Sequence, residues 1–561
     1  MGISRRERAP EGPTGGLLVA SPTMSAPAEL KVSDALDKLI HQFADPLSFY
    51  REIIQNALDA GSEEIEIYLT HESDNDDSGV TIIHIDDWGG GMTREIIEKR
   101  LTRLFSSSKD GDRTKIGKFG IGFVSIFAIE PELVCVDTSR EGEHWRVLFT
   151  ADHKFELRRL EQPVDGTKVR IYKRTTQKEH ESLLQRSRAT IRYWCKHVRG
   201  EVRFHDELLT EPFDLAAPLK IREEDSASTF VVGHPEDGAT FSGLYNRGLT
   251  LLEDKDKDYP GLAYKISSDL LEHTLTRDNV IQDEAYFKVY RRLRELVHGP
   301  LLEAVFSAIE EALKNPPSDE RLRYLYRAGV WHSNRGPLTG KPLRRTVAFT
   351  PSGKELPLRA LMRSFSSEHR PLLASGRTAL TDAVEASDRL VILAPPDAPV
   401  HVLLASFEGP PAIAVGTRFC LPEPARDGPE ADHWRPLAAA VLRLLKEHGA
   451  KIHSVELARF SDPESTIHNW VAITQRKAGE IEDLSEARAL GSSFFSRRRT
   501  LVLNAAHPTV QSLVALAQSE PEMAAYQLSK LFFLGERLDA NLDSELAEIA
   551  FRLRERRLPS R

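Results

Sequence analysis

"REIIQNALDA" occupies residues 51–60, and how it is read decides the rest of the chain. Glu52, Asn56 and Asp59 stand four and then three residues apart, with mostly apolar residues between them. Those offsets return to nearly one helical face. They stack the three polar groups over about 10 Å at about 1.5 Å per residue. Two readings fit. One is a solvated face on a surface helix. The other is a site wall, with a carboxylate at one end of a polyphosphate, an amide oxygen near its metal and a second carboxylate beyond. Upstream, Asp45-Pro46 is a helix start signal, and Gly61 falls where a helix ends naturally.

Downstream, "EIEIYLT" (64–70) alternates as a strand does, "SDNDDSG" (73–79) reads as a turn, and "VTIIHIDD" (80–87) is a second strand. The second strand runs into "DDWGGGM", residues 86–92. A carboxylate at the end of an apolar strand can accept a hydrogen bond from an exocyclic amine. The glycines after it let a flat ring approach the backbone. An ordinary turn would use the same residues. "TREIIEKRLTRLF" is an amphipathic helix and "SSSKDGDRTK" a polar loop. "GKFGIG", Gly117 to Gly122, then opens a helix. Its free N–H groups and the helix N-terminus suit phosphate oxygens. The spacing is GxxGxG outside a βαβ unit, so the dinucleotide-binding fingerprint fails its context test, and GxxxxGK[ST] is absent from this stretch. Strands recur near 132–138, 145–150 and 167–173, and a charged helix covers about 176–197. Helices followed by hairpin-like strands imply an α+β layer rather than strict βαβ alternation.

The bulk numbers bound the reading. A chain of 561 residues is too long for one core. With 40% hydrophobic and 28% charged residues it can bury several. The net charge of −9 gives no electrostatic case for nucleic acid or an anionic membrane. Cys135, Cys195 and Cys420 are too scattered for a disulfide framework or a CxxC knuckle, which fits a reducing cytoplasm. No apolar run is long enough for a membrane helix. Residues 1–28 read as a disordered lead-in, with Met24 as an alternative start.

The three motifs in this order resemble the gyrase, heat-shock chaperone, histidine kinase and MutL superfamily of ATPases, with its Bergerat fold. "EIIQNALDA", "DDWGGGM" and "IGKFGIGFVSIF" match its boxes, and Thr167 in "DGTKVRIY" fits its later-strand threonine. The resemblance implies ATP and Mg²⁺ as ligands. Glu52 would be the general base acting on the attacking water. Asn56 would hold Mg²⁺, and Asp59 would support the site from the same helix. Asp87 would read the adenine amine, assisted through water by Thr167. Gly91 and Met92 complete the second box. Gly117, Phe119, Gly120, Ile121, Gly122 and Phe123 form the third, with backbone amides facing the phosphates. Lys109 would reach them from a closing loop, unless it is simply an exposed loop lysine.

Later segments choose the branch. His41 in "IHQF" lacks the acid that follows a kinase phosphoacceptor. The helix-to-strand passage "LDAGSEEIEI" looks somewhat MutL-like. "GLYNRGLTLLE" (243–253) and "GLAYKISSDLLEHTLTRDNV" (261–280) resemble the middle domain of 90-kDa heat-shock chaperones, with Ser268, Asp269, Leu270 and a catalytic-loop arginine at Arg277. Such an arginine can stabilise γ-phosphate charge from another domain. A plain Arg277–Asp278 surface pair is the alternative. The lid between the second and third boxes is short, and "RLPSR" is not an acidic recruiting peptide.

The expected organisation is a lead-in (1–28), a Bergerat α/β sandwich (29–205), a middle α+β domain (206–340), a second α/β region (341–505) and a mainly helical segment (506–561). The expected protein is a cytoplasmic ATPase of chaperone type acting on client proteins. Its apolar C-terminal stripe "YQLSKLFFLGERL" is covered either by a second copy, giving a homodimer, or by the chain itself. Competing expectations are a nucleotide-gated module in DNA maintenance or defence, and an ATP-binding scaffold with negligible hydrolysis.

Overall fold

A computed structural model describes residues 45–74, 78–102, 121–256, 258–274, 279–315, 317–366, 370–425, 429–490, 498–534 and 538–558. The architecture is α+β, with mixed sheets through most of the chain and helices gathered at its C-terminal end.

The first unit is built on eight strands: β1 (Glu64–Ser73), β2 (Ser78–Asp87), β3 (Leu133–Arg140), β4 (Glu143–Thr150), β5 (Phe155–Arg159), β6 (Thr167–Thr176), β7 (Glu201–Phe204) and β8 (Glu207–Leu208). Their spatial order is β5-β4-β3-β6-β2-β1-β7-β8. All pairs are antiparallel except β1 with β7. Ile65, Ile67, Ile83, Ile85, Val134, Val136, Val169 and Ile171 alternate onto one face and form its apolar layer. Helices α1 (Phe49–Asp59) and α2 (Gln177–Cys195) cover that face. Sequence reading placed β1, β2, β3, β4 and β6 within a few residues but assigned no strand to β7, β8 or β5, whose "FELRR" carries little apolar alternation.

α1 begins as the sequence predicts. The Asp45 carboxylate accepts from Leu47 N at 3.0 Å, and Pro46 opens a 3-10 turn (Pro46–Ser48) that runs into the helix. Gly61 ends it at φ +84, with Gly61 N donating to Leu58 O and Ser62 N to Ala57 O. Phe49, Tyr50, Ile53, Ile54 and Ala57 are buried along the inward face. The predicted helix after "DDWGGGM" is a short α-turn (Arg94–Ile96) that widens over Ile97–Leu101; its predicted end at Phe105 lies outside the described residues.

The second unit has a five-stranded sheet in the order β12-β11-β13-β10-β9. These strands are Leu249–Asp254, Phe241–Asn246, Ala263–Ser268, Ser228–His234 and Leu219–Glu224. The β11–β12 turn, Arg247–Gly248, docks on the end of α2. Thr250 Oγ1 donates to Tyr193 O at 2.6 Å, and Lys196 pairs with Glu253 at 2.7 Å. Lys265 Nζ donates to His197 Nε2 at 2.9 Å. Burial pulls His197 down to about 4, so its ring is neutral at pH 7 and Nε2 can accept. Gly248, at φ +85, lies against the His197 carbonyl where any Cβ would clash. Leu249 joins the first unit's core.

Further on, one apolar cluster joins Val305, Phe306 and Tyr326 to Val347, Leu361 and Leu403, so residues on both sides of position 340 share it. The C-terminal cluster joins helix Pro429–Glu447 and strands Ile452–Arg459 and Arg499–Asn504 to the last three helices. Leu528, Phe532 and Phe533 of the apolar stripe are buried inside it, so of the two alternatives read from the sequence the chain itself covers these residues. Phe532→Ala should therefore cost about 3–5 kcal/mol. In urea titrations the loss should be independent of protein concentration. A concentration-dependent loss would return the stripe to an interface.

Candidate active site

Two polar clusters lie along α1, one at its first turn and one at its C-terminal end. In the first, Glu52 points out of α1 yet is buried, at 7% exposure. Gly122, in the helical turn Ile121–Val124, lies directly against its carboxylate: a Cβ there would collide with Glu52 Oε2. The third motif thus touches the first through the one residue type that leaves the carboxylate room. The preceding residue, Arg51, is buried with its guanidinium 4.8 Å from the Trp194 ring centroid, and burial pulls it down to about 10.

The second cluster follows from strand register. Asp87 of β2 pairs with Thr167 of β6, which pairs in turn with Thr138 of β3. Asp87 is 7% exposed. Its Oδ1 accepts from Gly89 N at 2.9 Å, and the Thr167 backbone N–H also donates to its carboxylate. Burial nevertheless pushes its pKa above the ordinary carboxylate value. Thr138 is fully buried. Its hydroxyl accepts from Met92 N at 2.9 Å and lies 3.1 Å from Thr167 Oγ1. Gly91, at φ +61, abuts the Ser139 carbonyl, and Gly166, at φ +64, abuts the Asp87 carbonyl. Neither place admits a side chain. On the neighbouring edge, Asp86 forms an ion pair with Arg170 and sits 3.8 Å from Lys168.

The second cluster is tied to the end of α1. Gly90 N donates to Ala60 O at 2.8 Å, and Trp88 N donates to Ser62 Oγ at 3.0 Å. The structure therefore brings Glu52 to Gly122 at one part of α1, and Asp87, Gly91, Met92 and Thr167 together beside its C-terminal end. Asn56 is exposed one turn beyond Glu52 on α1. Asp59, also exposed, is engaged from the second unit by Arg247 at 3.5 Å. Phe123 turns its ring into the core, 5.1 Å from Phe149. Lys109, Gly117, Phe119, Gly120 and Arg277 lie outside the described residues, and of Ile121 only the backbone is described. Sequence reading missed Thr138, Ser62, Gly166 and Arg247. Gly166 was the findable one, since "DGT" marks a turn before Thr167. A cavity of about 260 Å³ in the last unit, lined by Trp470, Arg488, His507 and Phe532 among others, shares no residue with this site.

Residues 50–182, which contain both clusters, match the family described as histidine kinase-, DNA gyrase B-, and HSP90-like ATPase. In fold and in sequence this part of the chain is similar to the ATPase domains of that class. Over a longer stretch the chain is similar to chaperone protein HtpG. It is 32% identical to that of Anaplasma phagocytophilum over 254 residues, 41% of this chain and 36% of the relative. It is 30% identical to that of Magnetococcus marinus over 207 residues, and 31% identical to that of Paraburkholderia xenovorans over 209, each 32% of both chains. The chain thus spans about a third of the length of the curated relatives it matches.

An elevated carboxylate pKa fixes a sign. A raised folded-state pKa means that Asp87 favours folding below the unfolded carboxylate range, and that this contribution is lost as pH rises through the raised value. At neutral pH the ionised group opposes folding. Asp87→Asn keeps an oxygen for the Gly89 and Thr167 amides and removes the charge. Its melting temperature at pH 7 should equal or exceed that of the wild type, with the advantage shrinking as pH falls towards 4. A melting temperature several degrees lower at pH 7 would contradict this.

Proposed function

We propose that the first unit binds ATP with Mg²⁺ and hydrolyses it, and that the chain uses this cycle as a chaperone acting on client proteins. The observation that carries the reading is the contact between the Glu52 carboxylate and Gly122, one helical turn from Asn56, on the helix whose C-terminal end is bonded to the loop that follows Asp87. Two acceptors at the end of a buried strand, beside glycine-lined space, fit the amine of adenine. Glu52, held in a largely dry position, suits a base acting on water. Among the described residues no group of three or more His, Cys, Asp or Glu could hold a metal. The fit is therefore to an ion carried mainly by phosphate oxygens and water, with the Asn56 amide oxygen as its protein ligand; this is how Mg²⁺ commonly binds beside nucleotides. When bound, the ion would neutralise phosphate charge.

The remaining assignments belong to the same proposal. The amides from Gly117 to Phe123 face the phosphates, Lys109 reaches them from the loop before, and Asp59 supports the site. Arg277 approaches the γ-phosphate from the second unit. That the β11–β12 turn already touches α2 and Asp59 supports an arginine arriving from that side. The name of the relatives supports the chaperone assignment, and we extend it to a homodimer that works in the cytoplasm. The three cysteines, all free and buried, suit that compartment. No described helix is long and apolar enough to cross a membrane.

Glu52→Ala tests the assignment. It should bind ATP about as well as the wild type in calorimetry while turnover falls roughly 10²–10⁴-fold. Undiminished hydrolysis would remove Glu52 from the mechanism. Gly122→Ala should depress turnover too, since its methyl group must displace the carboxylate. Glu52→Ala should then add little to Gly122→Ala, because both act on one group.

A further inference from the structure

The cavity of about 260 Å³ in the last unit joins one positive charge to an apolar wall. Arg488 supplies the only fixed charge among the described residues that line it, and none of them is acidic. The nearby Glu486 carboxylate is turned to Arg476 at 3.2 Å and to Arg499 at 3.6 Å. Trp470, Leu531, Phe532 and Leu534 form the apolar wall. His507 adds a donor: its Nδ1 accepts from Thr509 N at 3.2 Å, so the ring's hydrogen sits on Nε2. Buried polar side chains hold the charge and the aromatic ring in place. The Arg488 guanidinium lies 4.2 Å from the Trp470 ring centroid, which fixes its planar fork by one face. The chain on both sides of Arg488 is pinned to the strand Ala472–Gln475, where Thr474 N donates to Ala487 O at 2.5 Å and Thr474 Oγ1 to Ala489 O at 3.1 Å. Buried Arg499 donates to Thr474 O at 2.9 Å and to Glu486 O at 3.1 Å. Buried Asn504 secures the other side, its Nδ2 donating to His468 O at 3.0 Å and Trp470 O at 3.1 Å.

We propose that this cavity binds a small amphipathic monoanion, a carboxylate carried on an apolar body. An apolar cavity of about 150 Å³ admits benzene, so one of about 260 Å³ suits a body and carboxylate of about ten non-hydrogen atoms together. The carboxylate pairs with the Arg488 fork, and the His507 Nε2–H is a second donor to it. The apolar body packs on Trp470, Leu531 and Phe532. A neutral ligand would forgo the charge, and a bare inorganic anion would leave the apolar wall wet. No residue is shared with the Glu52 and Asp87 clusters, so this site stands apart from the nucleotide reading.

The test is calorimetry on the full chain with three probes: 3-phenylpropionate, its neutral amide and inorganic phosphate. The wild type should bind 3-phenylpropionate measurably more tightly than either of the others. Arg488→Gln should weaken 3-phenylpropionate about tenfold to a hundredfold, the range for a hydrogen-bonded charge, and leave the amide unchanged. Arg488→Lys keeps the charge without the fork and should fall between. His507→Asn keeps an acceptor at the start of the helix Pro508–Ala517 and removes the Nε2–H, so it should weaken the acid about threefold to tenfold. If Arg488→Gln does not fold, Arg488→Lys carries the comparison of acid with amide. A folded Arg488 variant with unchanged affinity overturns the proposal. So does an amide or a phosphate that binds as tightly as the acid, or a wild type that binds none of the three.

Discussion

The pairing of β3, β6 and β2 is the constraint on which the site depends. One register sets Thr138, Thr167 and Asp87 in a row across three strands. Side chains alternate along a strand with a period of two, so a slip of one residue would send each of them to the opposite face. The apolar layer prevents that slip: Val136, Val169 and Ile85, two residues along the same strands, are buried in the same core as α1. The force that fixes the register is hydrophobic, and the polar row is carried along with it. Close backbone approach at Gly91 and Gly166 then seals the row from both sides.

This arrangement holds two carboxylates where water is scarce. Asp87 has amide partners and still sits above its ordinary pKa, so burial outweighs the hydrogen bonds it makes. A protein selected only for stability would have little reason to keep an ionisable group there. A strand end that must present an acceptor to a ligand has a clear one, and perturbed groups collect at functional sites for that reason. Glu52 follows the same logic on α1: a position in the helix's first turn suits a negative charge, and Gly122 keeps the space before it clear.

Much of this was legible in the sequence, and what escaped shares a physical cause. The start and stop of α1, the strands β1, β2 and β6, and the placing of Glu52 on a helix and of Asp87 and Thr167 at strand ends follow from local periodicity and caps. Thr138 was invisible because nothing local marks it; "CVDTSR" reads as any half-buried strand, and only register across β6 gives the threonine a role. Strand β5 escaped because an edge strand with charged residues has no apolar alternation to read. The stripe from Tyr526 was ambiguous because amphipathicity says that a face is buried and not by what. The helix Pro429–Glu447, nearly a hundred residues earlier in the chain, turned out to supply the cover.

The junction between the first two units shows how a nucleotide site can be tied to the rest of a chain. Lys196 and Glu253 are both mostly buried, so separating them would strand charges in a poorly solvated place. Lys265 donates to a histidine that burial keeps neutral, and the Gly248 backbone lies against the His197 carbonyl with no room for a side chain. Exposed ion pairs such as Arg247–Asp59 contribute little by comparison. Opening the contact between α2 and β12 would break the buried set together, so this contact resists hinging. The same hairpin is continuous with the second unit's sheet, because β11 pairs in parallel with β13 from Phe241–Ala263 to Tyr245–Ser267.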